Sequence, residues 1–164
     1  LDRKRMAIIY AYKNLLLAVM NSINDDWSKV SRELDLTHPQ HHLLWILNFR
    51  PGSTMTQLAE YSLWTVANVK QVVDNLIKKG IAVKYTDPRD ARARRVYLTD
   101  TGAEMLDKAR ELGVSYRVLE IFDQQEEKDM SRELENLFSL VEMLQGPEYV
   151  DFIRTNTEKL LGKN

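Results

Sequence analysis

Cysteine is absent from this chain of 164 residues. That excludes disulfides and thiolate chemistry, and it fits a reducing interior, so a cytoplasmic protein is expected. Long apolar runs are also missing. The longest, Leu15-Leu16-Leu17-Ala18-Val19-Met20, is far short of a bilayer's thickness, so no membrane partner is expected. The basic start, Leu1-Asp2-Arg3-Lys4-Arg5, is not followed by a sustained apolar region, so no secretory signal is expected either. No glycine loop of the phosphate-cradling kind and no nucleophile elbow occurs. Internal repeats and low-complexity segments are lacking. The expectation is a globular chain that is not an enzyme and carries no cofactor.

What is present is an uneven charge. The net charge is only −1, yet residues 62–98 hold 8 basic and 3 acidic side chains, a net of +5. Residues 99–164 hold 8 basic and 15 acidic, a net of −7. A basic centre on an acidic chain is what a localised phosphate-binding face requires.

The basic centre coincides with a recognisable pattern over residues 65–99. Val69, Val72, Val73 and Leu76 recur at helical spacing, with Asn68, Lys70, Gln71 and Asn75 off that stripe. Such side chains can reach base edges and phosphates. Thr65 is placed to cap the helix, and Lys78-Lys79-Gly80 to end it. Ile81–Tyr85 and Arg95–Leu98 read as paired strands, and residues 87–94 between them as a basic loop too charged to bury. Helix, strand, basic loop, strand is the outline of a winged helix-turn-helix. Thr54-Met55-Thr56-Gln57 is a capping box opening the first helix of the pair, and 61–64 is its turn.

Flanking segments read as helices. Ile8, Tyr12, Leu15, Val19, Ile23 and Trp27 mark one long helix over 4–30 whose apolar face is too wide for one neighbour, so part of it is expected to meet a second subunit. Thr37-His38-Pro39-Gln40 is another capping box, before a buried helix running to about Asn48. Met105, Ala109, Leu112, Tyr116 and Leu119 suggest a helix from 99 to 122. Met130, Leu134, Leu137, Val141 and Leu144 suggest one from 126 to 145, capped by Asp123–Glu126. Gly146-Pro147 breaks the chain before a last helix over 147–161. The expected class is mainly α with a small antiparallel hairpin. The expected units are a dimerisation helix (1–35), a winged helix-turn-helix lobe (36–99) and a C-terminal helical dimerisation region (100–164).

Asp87-Pro88-Arg89-Asp90-Ala91-Arg92 followed by Val96-Tyr97-Leu98-Thr99 resembles the wing of the MarR family of bacterial transcription regulators. Leu58-Ala59-Glu60, Val69, Leu76 and Lys79-Gly80 resemble its helix-turn-helix, and the likeness covers roughly residues 5–145. A narrower likeness, carried by His41–Ile46 and Gly146–Tyr149, is to the Hpr-type subgroup that represses protease production and sporulation. The resemblance implies a homodimeric repressor on a palindromic DNA operator. It implies that Arg92 enters a minor groove, with Asp90 clasping its guanidinium, and that Arg89, Arg94 and Arg95 lie near phosphates. Thr54, Thr56, Gln57, Thr65, Asn68, Lys70, Gln71 and Asn75 complete the expected DNA-contacting set. Ile8, Tyr12, Leu15, Val19, Leu134, Leu137 and Val141 form the expected dimer face.

Three other readings compete. His38 and His42 have a workable ligand spacing, but capping or core roles fit these histidines better and no metal site is expected. Tyr10, Tyr12, Trp27, Trp45 and Trp64 either pack the core or line a pocket for a small aromatic effector, as the resemblance implies. The whole chain could instead serve as a winged-helix protein-interaction module, or as a small-molecule sensor without strong DNA binding.

Overall fold

The computed structural model describes residues 2–113 and 116–162, apart from the side chain of Ala91. The chain runs α1 (Arg3–Glu33), α2 (His38–Phe49), α3 (Met55–Ser62), α4 (Val66–Lys78), β1 (Ala82–Asp87), β2 (Asp90–Leu98), α5 (Asp100–Gly113), α6 (Arg117–Phe122), α7 (Glu127–Gln145) and α8 (Pro147–Leu160). The mainly helical class and the antiparallel hairpin are as expected.

Local chemistry sets the helix starts. Thr37 and Thr54 each accept from the backbone N–H three residues on, and Gln40 and Gln57 reach back to the Thr37 and Thr54 N–H groups. Both capping boxes therefore form as read. Thr65 caps α4 through the Asn68 N–H. Gly80 takes a φ of +72° and turns the chain out of α4. Thr99 accepts from the Gly102 N–H and opens α5. Gly102 is required there because a Cβ would collide with the Ile81 carbonyl oxygen.

One core joins these elements. Leu43, Leu44 and Leu47 of α2 are buried against Leu58 of α3, Val69, Val73 and Leu76 of α4, Ile81 and Val96 of the hairpin, and Leu106 of α5. Val30 joins from α1, Leu34 from its C-cap, and Phe152 from α8. The burial is large enough to fix α4 rigidly, since each fully buried Leu or Val is worth about 1.5–3 kcal/mol relative to exposure.

Three expectations are corrected. The segment expected as one helix from 99 to 122 is two: α5 is described to Gly113, Tyr116 is extended, and α6 starts at Arg117. The reason is distant in sequence. The buried Asp26 carboxylate of α1 accepts from the Val118 N–H at 3.0 Å and so caps α6. Burial alone would raise the Asp26 pKa, but the Val118 bond and the Lys29 ammonium outweigh it and hold the carboxyl below its usual range. The second correction concerns α7, where Glu126 is the N-cap and no side-chain cap bond forms. The third concerns α1. The unbroken apolar run is short, but α1 as a whole is long and apolar enough to cross a membrane by length and composition. Tyr, Asn and Ser, with Lys13 the one charge between Met6 and Ile23, interrupt the run without making it polar, which is why counting only Leu15–Met20 missed it.

Residues 3–22 of α1 are exposed, with Ile8, Tyr12, Leu15 and Val19 among the uncovered apolar side chains. On α7, Leu134 and Leu137 are exposed and Val141 is half-buried, beside a shallow apolar groove shared with α8. Arg154 ties α8 to α7 through a two-pronged pair with Glu135 at 2.7 and 2.9 Å.

Candidate nucleic-acid interface

The interface is built on α4. Its buried side, Val69, Val73 and Leu76, is locked into the core, so its other side must face outward. Thr65, Asn68, Lys70 and Gln71 are exposed, and Asn75 is half-buried. The structure divides this set. Asn68, Gln71 and Asn75 lie at i, i+3 and i+7 and line a groove of about 520 Å³ with Thr37, Gln40 and Trp64. Lys70 is on the other flank, near Asp74. Asp74 pairs with Lys84 of β1 at 2.6 Å, and that bond, with the nearby Lys70 and Lys78 charges, lowers its pKa. The groove against Thr37 and Gln40 was not anticipated from sequence, because nothing local says that the α2 N-terminus meets α4.

Thr54, Thr56 and Gln57 begin α3. Thr56 and Gln57 are exposed, while Thr54 and Gln57 spend their side chains on the capping box. Leu63 makes the turn to α4 in a left-handed conformation, φ 57°.

The hairpin departs from expectation. Residues 90–94 were expected in a loop but belong to β2, and β1 continues to Asp87. Register pairs Tyr85 with Arg95 and Thr86 with Arg94, leaving Pro88 and Arg89 as the turn. A strand holds these charges because Arg92 and Arg94 stand in solvent. Asp87 is buried, contrary to a loop too charged to bury. It accepts from the Arg89 N–H at 2.8 Å and from the Arg95 guanidinium. Those two bonds, in that order, hold its carboxyl below the ordinary range.

Arg95 is thereby engaged in the scaffold. Its Nη1 also donates to the Gly52 carbonyl at 2.8 Å. Ser53 pairs with Val96 beside it, so the α2–α3 linker acts as a third strand against the wing. Gly52 is needed at φ +76°, and a Cβ there would lie 2.7 Å from the Tyr97 hydroxyl. Asp90 differs from expectation too. It accepts from the Arg92 backbone N–H at 2.9 Å and so shapes the turn instead of clasping the guanidinium. Arg94 bonds Thr86 across the hairpin. Arg89 and Arg92 are exposed at the tip.

His41 has partners of its own within the core. The described residues contain no group of three or more potential metal ligands. His41 is fully buried between Ser31 and Trp45, and Trp27 stacks on it at 4.4 Å. Trp45 Nε1 donates to His41 Nε2 at 3.1 Å, so Nε2 is unprotonated. Nδ1 then carries the proton and donates to Ser31 Oγ, which donates to the Trp27 carbonyl. Burial pushes the His41 and His42 pKa values down to about 4.

Of the expected effector aromatics, only Trp27 and Trp45 meet in one cavity. It measures about 510 Å³ and also takes Phe49, Tyr116, Phe152 and Asn156. Tyr10 and Tyr12 are exposed on α1, and Trp64 lies against α4.

A core-anchored helix with a polar outer face, flanked by a basic hairpin, defines a winged helix-turn-helix protein. The MarR family model matches residues 34–93. It is similar to the HTH-type transcriptional regulator Hpr of Halalkalibacterium halodurans, 24% identical over 95% of this chain and 84% of that protein. The crystal structure of a MarR family transcription regulator superposes with a TM-score of 0.73 at 16% identity, covering 86% of this chain and 93% of the other. The S. aureus MepR–DNA complex superposes with a TM-score of 0.71 at 20% identity, covering 81% and 97%. These relatives are regulators and not enzymes.

Proposed function

We propose that this chain is a sequence-specific DNA-binding transcription regulator acting as a homodimeric repressor on a palindromic operator. The observation that carries the reading is the pairing of α4, with Asn68, Gln71 and Lys70 on its outer face, and the wing, with Arg89 and Arg92 exposed. In this reading Gln71 and Asn68 read bases in a major groove, Thr65, Thr56 and Lys70 meet phosphates, and Arg92 enters a minor groove. Arg94 adds charge, and Arg95 positions the wing. Asn75, Thr54 and Gln57 support the contacting surfaces. The likeness to MepR in a DNA complex supports the same docking. Repression is steric: the dimer occupies the polymerase's ground. The likeness to Hpr supports a role in transcription regulation.

The second copy covers the apolar faces of α1 and α7, including Ile8, Tyr12, Leu15, Val19, Leu134, Leu137 and Val141. On this reading residues 1–35 and 100–164 serve assembly and 36–99 serve DNA. The apolar length of α1 is then covered by protein in a cytoplasmic dimer, not by lipid. A small aromatic effector belongs to the reading as a regulator of DNA affinity. Selection from random duplexes tests the whole: a two-fold symmetric consensus is expected, with half-site centres about 34–36 Å apart when one turn separates them. Recovery of no consensus, or of binding without steep salt dependence, overturns it.

A further inference from the structure

α8 ties together two parts of the molecule. Gly146, at φ +90°, and Pro147 turn the chain back from α7, so that α8 packs on both α7 and α3. Its tie to α7 is polar. Arg154 makes the two-pronged pair with Glu135, and its guanidinium lies 4.1 Å from the centre of the Phe138 ring. Its tie to the winged helix is aromatic. Phe152, 5% exposed, stacks on Tyr61 of α3 with ring centroids 4.3 Å apart and planes inclined by 15°. The Arg50 guanidinium sits against both rings, 5.4 Å from the centre of Phe152 and 6.0 Å from that of Tyr61. Arg50 is the C-cap of α2, and its carbonyl accepts from Ser53 Oγ at 2.8 Å. Ser53 is the residue that pairs with Val96 of the wing. Phe152 therefore bears on two supports of the reading surface: the helix before α4, and the linker that holds the wing.

From these two ties we infer that α8 is a strap that fixes the angle between α7 and the winged helix-turn-helix, with Phe152 and Arg154 as its positioning residues. Neither residue belongs to α4 or to the wing. Rotation of the winged helix relative to α7 has to slide the Phe152 and Tyr61 rings apart or draw Arg154 off Glu135. Stacked rings resist sliding, because their dispersion contacts weaken steeply within an ångström of separation. A two-fold dimer presents two copies of α4, and the distance between them sets the half-site spacing that it accepts. A fixed angle therefore makes the dimer selective for one spacing. Loss of the strap lets the angle vary, so discrimination between spacings falls before affinity for a single half-site does. The consequence for DNA rests on the proposed function, whereas the strap within one protomer does not.

The test places spin labels on the full chain at two exposed sites, Lys78→Cys at the end of α4 and Asn136→Cys on α7, which the absence of native cysteine makes specific. Doubly labelled chains diluted with unlabelled protein report the distance between the two units within one protomer. A single narrow distribution is expected for this parent. Phe152→Leu keeps apolar volume and loses the stacked ring. Arg154→Gln removes only a partly exposed ion pair, so it keeps the test open if Phe152→Leu fails to fold. Each should broaden the distribution beyond the parent's width with helical circular dichroism unchanged, and Tyr61→Phe, which keeps both rings, should match the parent. An unchanged width in either folded variant overturns the strap, and so does a broad distribution in the parent. In a second arm, without labels, affinity is measured for the operator and for the same half-sites moved one base pair apart. The parent should prefer its own spacing, and that preference should fall about threefold or more in both variants. An equal loss of affinity on both duplexes marks a purely structural role and overturns the positioning role. Absence of any DNA binding by the parent overturns the proposed function, and the label distances then decide the strap alone.

Discussion

Asp87 and Arg95, eight residues apart, pair diagonally across the wing, and the same guanidinium reaches the Gly52 carbonyl at 2.8 Å. One side chain thus joins both strands of the hairpin to the linker before α3. The wing's position relative to α4 depends on that bond set and on the Ser53–Val96 pairing.

Arg95→Ala should therefore act on stability first. It leaves the buried Asp87 with fewer partners, at a cost of roughly 1–3 kcal/mol. Arg92→Ala should leave stability within about 0.5 kcal/mol, because its side chain stands in solvent, and should weaken DNA binding. Urea melts and fluorescence anisotropy with duplex DNA separate the two. If Arg95→Ala melts like the parent chain, the brace has no energetic role.

Reading and anchoring can be separated on α4. Gln71→Ala should cost roughly 1–3 kcal/mol on the operator and relax specificity at one position. Thr65→Ala should weaken all duplexes alike and cost about 1 kcal/mol of fold stability through the lost cap on the Asn68 N–H. Both variants are measured against operator and scrambled DNA at two salt concentrations. Equal weakening by Gln71→Ala on both duplexes would move base reading to Asn68, Lys70 or Asn75.

Leu15→Glu with Val19→Glu tests assembly. Both positions are exposed in the single chain, at 68% and 50%, so the helix itself should survive. A second copy covering them would bury unpaired charge, costing roughly 2 kcal/mol or more per carboxylate. The expected product is a folded monomer by circular dichroism and sedimentation. A folded dimer would place the interface elsewhere.

Acid should weaken the fold through His41. Its folded pKa, about 4, is depressed by burial below the unfolded value near 6.5. The unfolded chain therefore binds the proton more readily between these values. The stabilisation is complete above pH 6.5 and is lost as pH falls toward 4, amounting to up to about 3 kcal/mol. Thermal melts across that range should show the loss, and His41→Gln should reduce it, with the buried His42 supplying the remainder. Histidine proton resonances that titrate near 6.5 in the folded protein would contradict the buried neutral ring.

Much of the winged helix was legible because its signals are local. Thr37, Thr54 and Thr65 cap their helices through neighbours three residues away, and the Val69–Leu76 stripe fixes which side of α4 is buried. Periodicity and capping are properties of short segments, so the sequence alone determined the element order through the hairpin, the class and the placement of Asn68 and Gln71 outside the core. Tertiary structure decided the rest. Asp26 ends one helical pattern and caps α6 from 92 residues away. Asp87 is buried where the Arg95 guanidinium reaches it diagonally across the hairpin, within a segment expected as loop that forms strand. Asn156 is buried beside the cavity that Trp27 lines only because α8 packs against α3 and α7. In each case a polar group's fate depends on a partner distant in sequence, and burial of a charge or an amide is settled by that partner and not by its neighbours in the chain.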